Sequence, residues 1–231
     1  IFDPTIGPLV NIWGFGPDGN RQVPSTELIE LTKKRVGYHY IELKKSPFMI
    51  KKSNPSVYLD LSASAKGFGV DTVSLHLRKL GLENHMVEIG GEVRAAGTKN
   101  GEAWRIGIES PGQSFKMAKK IVQLKNKALA TSGSYRNYFN SKGIKYSHAI
   151  DFKTGKPVEH SLASVSVISA KGCMDADSWA TAFMVMGPVK GLKLAKKLKM
   201  AVFFIYKKAA QDDKDFIEAM TPEFKLHLKS I

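Results

Sequence analysis

The stretch Val57-Tyr58-Leu59-Asp60-Leu61-Ser62-Ala63-Ser64-Ala65-Lys66-Gly67-Phe68-Gly69-Val70-Asp71 decides how the rest of the chain is read. Residues 57–61 are rich in Val, Tyr and Leu and read as a strand. A turn of small residues follows, and then a helix over 66–80. Val70, Val73, Leu77 and Leu80 share one face of that helix, and Gly81 is its stop. Upstream, residues 25–36 read as a helix opened by Ser25 behind Pro24 and closed by Gly37, and 38–43 read as a strand. Downstream come short strand-like runs at 85–89, 92–96, 104–108, 119–124, 145–150 and 164–169. Helical stretches at 175–186 and 188–199 follow, with Gly187-Pro188 between them, then a strand at 201–206 and a last strand near 224–228. This is neither strict strand–helix alternation nor all-β. It predicts an α+β fold with antiparallel sheets packed by several helices. No repeat, low-complexity segment or linker interrupts the 231 residues, so one domain over 1–231 is expected.

Composition narrows the function less than the fold. A hydrophobic fraction of 43% excludes a disordered chain. Thirty-five basic residues against 21 acidic ones give a net charge of +14. That excess points to an anionic partner: nucleic acid, a phosphorylated small molecule or an acidic membrane surface. The single cysteine, Cys173, rules out an intrachain disulfide framework and a cysteine-rich zinc site. No apolar run approaches the roughly 20 residues that cross a bilayer. The start, Ile1-Phe2-Asp3-Pro4-Thr5, shows no signal peptide and reads as a chain cut from something longer.

Four segments carry chemistry. In Asp175-Ala176-Asp177-Ser178-Trp179-Ala180-Thr181, Asp177 and Thr181 are four apart and share a helix face. A carboxylate and a hydroxyl there offer oxygen ligands to a hard cation such as magnesium. Asp175 or Asp177 as a helix cap is the alternative, and spacing alone prefers it. In the 57–71 stretch, a helix N-terminus beside Lys66 suits a phosphate, although neither a P-loop nor a Gly-x-Gly-x-x-Gly spacing is present. An ordinary strand-to-helix turn is the other reading. In Ser147-His148-Ala149-Ile150-Asp151, a histidine and an aspartate sit three apart near a strand end, and histidine moves protons near neutral pH. A lone histidine on a strand is more often structural, and Asp151 could equally be an Asx-turn residue. In Leu129 to Tyr138, hydroxyls cluster with a glycine, Tyr135 and Arg136, as either a ligand-lining loop or a turn. No Gly-x-Ser-x-Gly elbow is present, which argues against a serine hydrolase. The lysine-rich 188–199 helix reads as a solvated face, and no nucleic-acid-binding signature accompanies it.

Taken in order, these blocks resemble the ApbE family of FAD:protein FMN transferases. The resemblance rests on Phe2 through Gly16, Asp60 through Asp71, Val87-Glu88-Ile89-Gly90-Gly91-Glu92-Val93, Thr131 through Arg136, Ser147 through Asp151, and Asp175 through Thr181. It implies a magnesium-dependent enzyme that moves the FMN half of FAD onto a threonine, sometimes serine, hydroxyl of a target flavoprotein and releases AMP. It implies magnesium ligands at the Asp177 and Thr181 side chains and the Ala63 carbonyl. FAD contacts are implied at Ile1, Phe2, Asp3, Asp60, Lys66 and the backbone of Ile150. His148 is the expected general base, with Asp151 either orienting it or shaping the turn. The resemblance reverses the preference for Asp177 as a cap.

Targets in the family are subunits of membrane redox complexes of the sodium-pumping NADH:quinone reductase (Nqr) or Rnf type. The expected location is the periplasm, as an inner-membrane lipoprotein, with a cytoplasmic form as the alternative. Family members carry a preceding region that adds to the flavin site, so the N-terminal part is expected to be missing here. The competing readings are a magnesium-dependent FAD pyrophosphatase, a non-catalytic flavin-binding protein, and a nucleic-acid binder supported by charge alone. The resemblance argues against nucleic acid and leaves association with a membrane surface as an expectation.

Overall fold

The computed structural model describes residues 2–111, 118–134, 137–208 and 215–228. In chain order, helices α1 (Gly7–Ile12) and α2 (Thr26–Lys33) precede strands β1 (Ile41–Lys45) and β2 (Phe48–Lys52) and helix α3 (Ser62–Lys79). Strands β3 (His85–Ile89), β4 (Glu92–Ala96), β5 (Trp104–Glu109), β6 (Ala118–Leu124) and β7 (Lys127–Gly133) follow. Next are β8 (Tyr138–Ser141), β9 (Ile144–Ser147), β10 (Ile150–Asp151) and β11 (Lys156–Pro157). The chain continues through β12 (Leu162–Ser169), α4 (Cys173–Met186), α5 (Pro188–Lys197), β13 (Ala201–Lys207), β14 (Phe216–Met220) and α6 (Pro222–Lys225). Every strand pairing among the described residues is antiparallel, and the fold is α+β as expected. No helix among the described residues is long and apolar enough to cross a membrane.

The chain divides into two compact units, one of Ile1–Leu61 with Asn137–Glu159 and the other of Ser62–Arg136 with His160–Ile231. In the first, Leu9, Trp13, Ile29 and Ile150 form a buried cluster, with Phe15, Phe139 and Tyr146 packed against it. The Trp13 indole N–H donates to the Gly155 carbonyl at 2.8 Å, so the polar tip of this buried side chain is satisfied. Ser25 caps α2 by accepting from the Leu28 amide, as the sequence predicts.

The second unit is built on a six-stranded sheet of order β14-β13-β12-β7-β4-β3. Its middle strand β12 is buried at every residue, which is what a strand covered on both faces requires. On one face, Val87 and Ala128 meet Val70 and Leu77 of α3 and Cys173 of α4. On the other, Ala95, Leu129, Ile168, Phe203 and Ile205 pack with Ile108, Val122 and Leu124 of the β5–β6 hairpin and Phe224 of α6. Adjacent residues of β7, Ala128 and Leu129, thus serve opposite layers, as the two-residue period of a strand dictates. The lysines of α5 are exposed while Gly191 and Ala195 face inward, so this helix has a solvated basic face.

Several boundaries differ from expectation. Residues 57–61 form no strand, because their backbone groups go elsewhere: the Val57 amide to Asn54, the Val57 carbonyl to the Lys52 ammonium, and the Asp60 amide to the Pro4 carbonyl. The small residues from Ser62 belong to α3 itself, where alanine is the best helix former. The 38–43 segment opens with a 3-10 turn over Tyr38–Tyr40 before β1, and 145–150 splits into β9 and β10. Near 224–228 there is a helix, started by Thr221 as N-cap and Pro222, and only a single bridge from Leu228 to Val122. Segment 129–133 lies in β7, where Thr131 pairs with Ser166 and Ser132 with Val165, so it is neither loop nor turn.

Candidate functional site

In the second unit the expected site residues fall on two helices that the sequence separates by about a hundred residues. Asp177 lies in α4 and is buried at 3% exposure. Its Oδ2 accepts the Gly67 amide of α3 at 3.0 Å. In a regular helix that amide would point to the carbonyl four residues back, which is Ala63. The Asp177 carboxylate thus reaches the same amide that a regular helix directs at the Ala63 carbonyl. Gly67 permits this approach: a Cβ there would lie 2.5 Å from the Cys173 carbonyl oxygen and 2.7 Å from the Met174 Cα. Thr181 is one helical turn beyond Asp177 and half-buried.

Burial pushes the Asp177 carboxyl above its usual range, while the Gly67 hydrogen bond and the Lys66 charge pull the other way. Lys66 places its ammonium 2.8 Å from Oε2 of Glu92, whose carboxyl is also raised, first by burial and further by the Asp177 charge. Two buried carboxylates thus share one ammonium, a charge balance that suits an added cation. The expected magnesium set of Asp177, Thr181 and the Ala63 carbonyl is all oxygen, the donor chemistry that magnesium takes, and an ammonium such as that of Lys66 suits a phosphate. Among the described residues, no cluster of three or more His, Cys, Asp or Glu side chains could hold a metal. The expected set contains one such residue and does not depend on a cluster.

Two residues missed from sequence shape this region. Glu92 is one. Asp71 is the other: its carboxylate accepts from the Cys173 and Met174 amides at 2.9 and 3.0 Å and pairs with Arg94. The α4 N-terminus is therefore held by a carboxylate from α3, not by Asp175 or Asp177. Asp175 instead accepts from the Ser169 hydroxyl at 2.7 Å. An acid in the quoted Lys66–Asp71 segment was visible, but its partners are 102 and 103 residues away.

The other expected residues belong to the first unit. His148 directs Nδ1 at the Asn137 carbonyl, 3.1 Å away, and its own amide reaches the same oxygen. A carbonyl only accepts, so the proton sits on Nδ1 and the basic lone pair on Nε2. Arg21 holds this arrangement from behind, donating to Asn137 Oδ1 at 3.0 Å and the Tyr138 carbonyl at 2.7 Å. Asp151 shapes the turn: its Oδ1 accepts the Lys153 amide and its carbonyl the Gly155 amide.

Asp3 is 1% exposed. It accepts from the Thr5 amide and hydroxyl on Oδ1 and from the Tyr38 amide on Oδ2, so both oxygens serve the chain's own donors. Phe2, next to Asp3 in sequence, and Asp60, in the same unit, are half-buried, and Ile150 is buried in the core with its strand paired to Pro157. Ile1, Tyr135 and Arg136 lie outside the described residues.

A profile of the ApbE family matches residues 1–204. The chain belongs to the ApbE family. A Vibrio cholerae relative named FAD:protein FMN transferase is 41% identical over 225 residues, covering 96% of this chain and 65% of its own. A Haemophilus influenzae relative of the same name is 41% identical over 228 residues, covering 96% of this chain and 64% of its own. This ApbE-family chain thus spans about two thirds of the length of these relatives. Among solved structures, the apo form of the Pseudomonas stutzeri flavinyl transferase ApbE superposes with a TM-score of 0.86 at 39% identity, covering 100% of this chain and 70% of that one.

Proposed function

We propose that this protein transfers FMN from FAD to a threonine or serine hydroxyl of a target flavoprotein and releases AMP, with magnesium as its cofactor. The observation that carries the reading is Asp177, a buried carboxylate fixed by the Gly67 amide beside Lys66, in a chain whose relatives are named FAD:protein FMN transferase.

The acceptor hydroxyl attacks the FMN-side phosphorus of the pyrophosphate. A new P–O bond forms, the P–O bond to AMP breaks, and the pair stays on the AMP phosphate. Nε2 of His148 takes the hydroxyl proton, and the Asn137 carbonyl keeps the ring in the tautomer that can do so. Lys66 meets the phosphate charge. Asp177, Thr181 and the Ala63 carbonyl would hold magnesium, which when bound offsets charge on the pyrophosphate oxygens. Phe2, Asp3, Asp60, Ile150 and Ile1 are assigned to flavin and adenosine contacts by the family resemblance. The same resemblance supports an Nqr- or Rnf-type subunit as target and an inner-membrane lipoprotein facing the periplasm. The exposed lysines of α5 suit an anionic membrane surface there.

The test is incubation with FAD, magnesium chloride and a threonine-bearing target peptide. The expected result is peptide gaining the mass of FMN with AMP released in equal amount. Free FMN and AMP without labelled peptide would indicate hydrolysis instead.

A further inference from the structure

Glu92 takes no part in the reaction above, yet it is buried at 1% exposure. A carboxylate out of water is unfavourable unless a partner compensates it. Its partner is Lys66, with Nζ 2.8 Å from Oε2. The two ends of this pair differ: the Glu92 side chain is 2% exposed and that of Lys66 46%. The acid end is anchored, because Glu92 opens β4 and pairs with Ile89 across the β3–β4 hairpin. The basic end is open to a ligand.

The same hairpin also touches the stem of Lys66. Gly90 has φ +61, and a Cβ there would stand 3.2 Å from Lys66 Cδ and 3.8 Å from Glu92 Oε2. The hairpin turn therefore lies against the side chain whose ammonium it holds. A lysine stem has four rotatable bonds and loses their freedom when its head is fixed. Here that loss precedes any ligand, which is the condition for preorganised binding. Burial raises the Glu92 carboxyl, and the Lys66 hydrogen bond and charge oppose that rise.

We infer that Glu92 is a positioning residue that, with the Gly90 turn, fixes the Lys66 ammonium where the FAD pyrophosphate is received. The inference rests on the flavin reading above. It separates two jobs: Lys66 touches the phosphate, and Glu92 acts only through Lys66.

A double-mutant cycle on FAD affinity tests this, read from quenching of flavin fluorescence in magnesium chloride. Lys66→Gln is used because it leaves Glu92 a hydrogen-bond donor, and circular dichroism checks that each variant is folded. Glu92→Gln is expected to weaken FAD about tenfold, and Lys66→Gln by at least as much. The double variant should then be within about twofold of Lys66→Gln alone, since Glu92 has nothing left to position. An unchanged affinity in Glu92→Gln, or the same loss in both backgrounds, overturns the inference while the flavin reading stands. A wild-type protein that does not quench FAD overturns both.

Discussion

The Gly67 amide and the Asp177 carboxylate meet at 3.0 Å, joining the second turn of α3 to the second turn of α4. The carboxylate has one fixed position relative to the α3 backbone, and the distance between the helices sets it. Its neighbours can therefore be altered without touching the acid itself, with consequences that differ in kind.

Gly67→Ala inserts a methyl against backbone atoms of Cys173 and Met174, which cannot rotate away. The helices must part. The expected loss is about 2 kcal/mol of stability, with weaker magnesium binding because Asp177 moves from the Ala63 carbonyl. Urea midpoints and calorimetric magnesium titration read the two effects. A wild-type midpoint would show that the seam yields without strain.

Asp71→Ala removes the acceptor of two α4 amides and the partner of Arg94. A loss of about 2 kcal/mol is expected, at the upper end for a helix cap. Asp71→Asn keeps an acceptor oxygen and should recover part of it. If chemical denaturation ranks alanine and asparagine equally, the capping bonds are not what Asp71 contributes.

Asp177→Asn should separate stability from function. The folded-state pKa of Asp177 is raised, so the folded protein holds this proton more tightly than the unfolded chain. The ionised side chain then subtracts stability above its folded pKa, and the subtraction disappears in acid, below its unfolded pKa. In EDTA, Asp177→Asn should melt at or above the wild-type temperature at pH 8, and this advantage should shrink as the pH falls and vanish at about pH 3, below the unfolded carboxyl's pKa. Magnesium should raise the melting temperature of wild type and not of the variant. An advantage for the variant that grows in acid would contradict the sign.

His148→Ala should reduce transfer by about 10²- to 10⁴-fold, the usual range for a lost general base. FAD binding should persist. Replacing Arg21 by Met should cause a smaller loss, because the Asn137 carbonyl that sets the tautomer is then less firmly held. Single-turnover transfer with saturating FAD and peptide measures both. Undiminished transfer in His148→Ala would remove His148 from the mechanism.

The class of fold was readable because β12, β13 and α4 announce themselves by composition and period. Their placement at the sheet centre and on its face follows from burial. Segment 57–61 misled because Val, Tyr and Leu suit a strand, whereas the chain supplies it with no neighbouring ladder. The 224–228 segment departs in the opposite direction: its residues read as a strand, but the Thr221-Pro222 helix start lies just ahead of them. Asp177, Thr181, Lys66 and His148 stood out as residue types in a known order. Glu92 and Asp71 did not, because each acts through a partner on another element, and no local pattern encodes such a pairing.

Cys173 sits at 0% exposure where α3, α4 and the sheet converge, and burial, reinforced by the Asp71 and Asp177 charges, drives its thiol well away from the reactive thiolate. Because it is the one cysteine in these 231 residues, it is a built-in clock for this junction. With Cys173 at 0% exposure, a thiol reagent needs the α3–α4 junction to open, so the alkylation rate counts opening events beside the proposed magnesium ligands. Any ligand that clamps the two helices together should lengthen the interval between those events, with no label or probe added to the molecule.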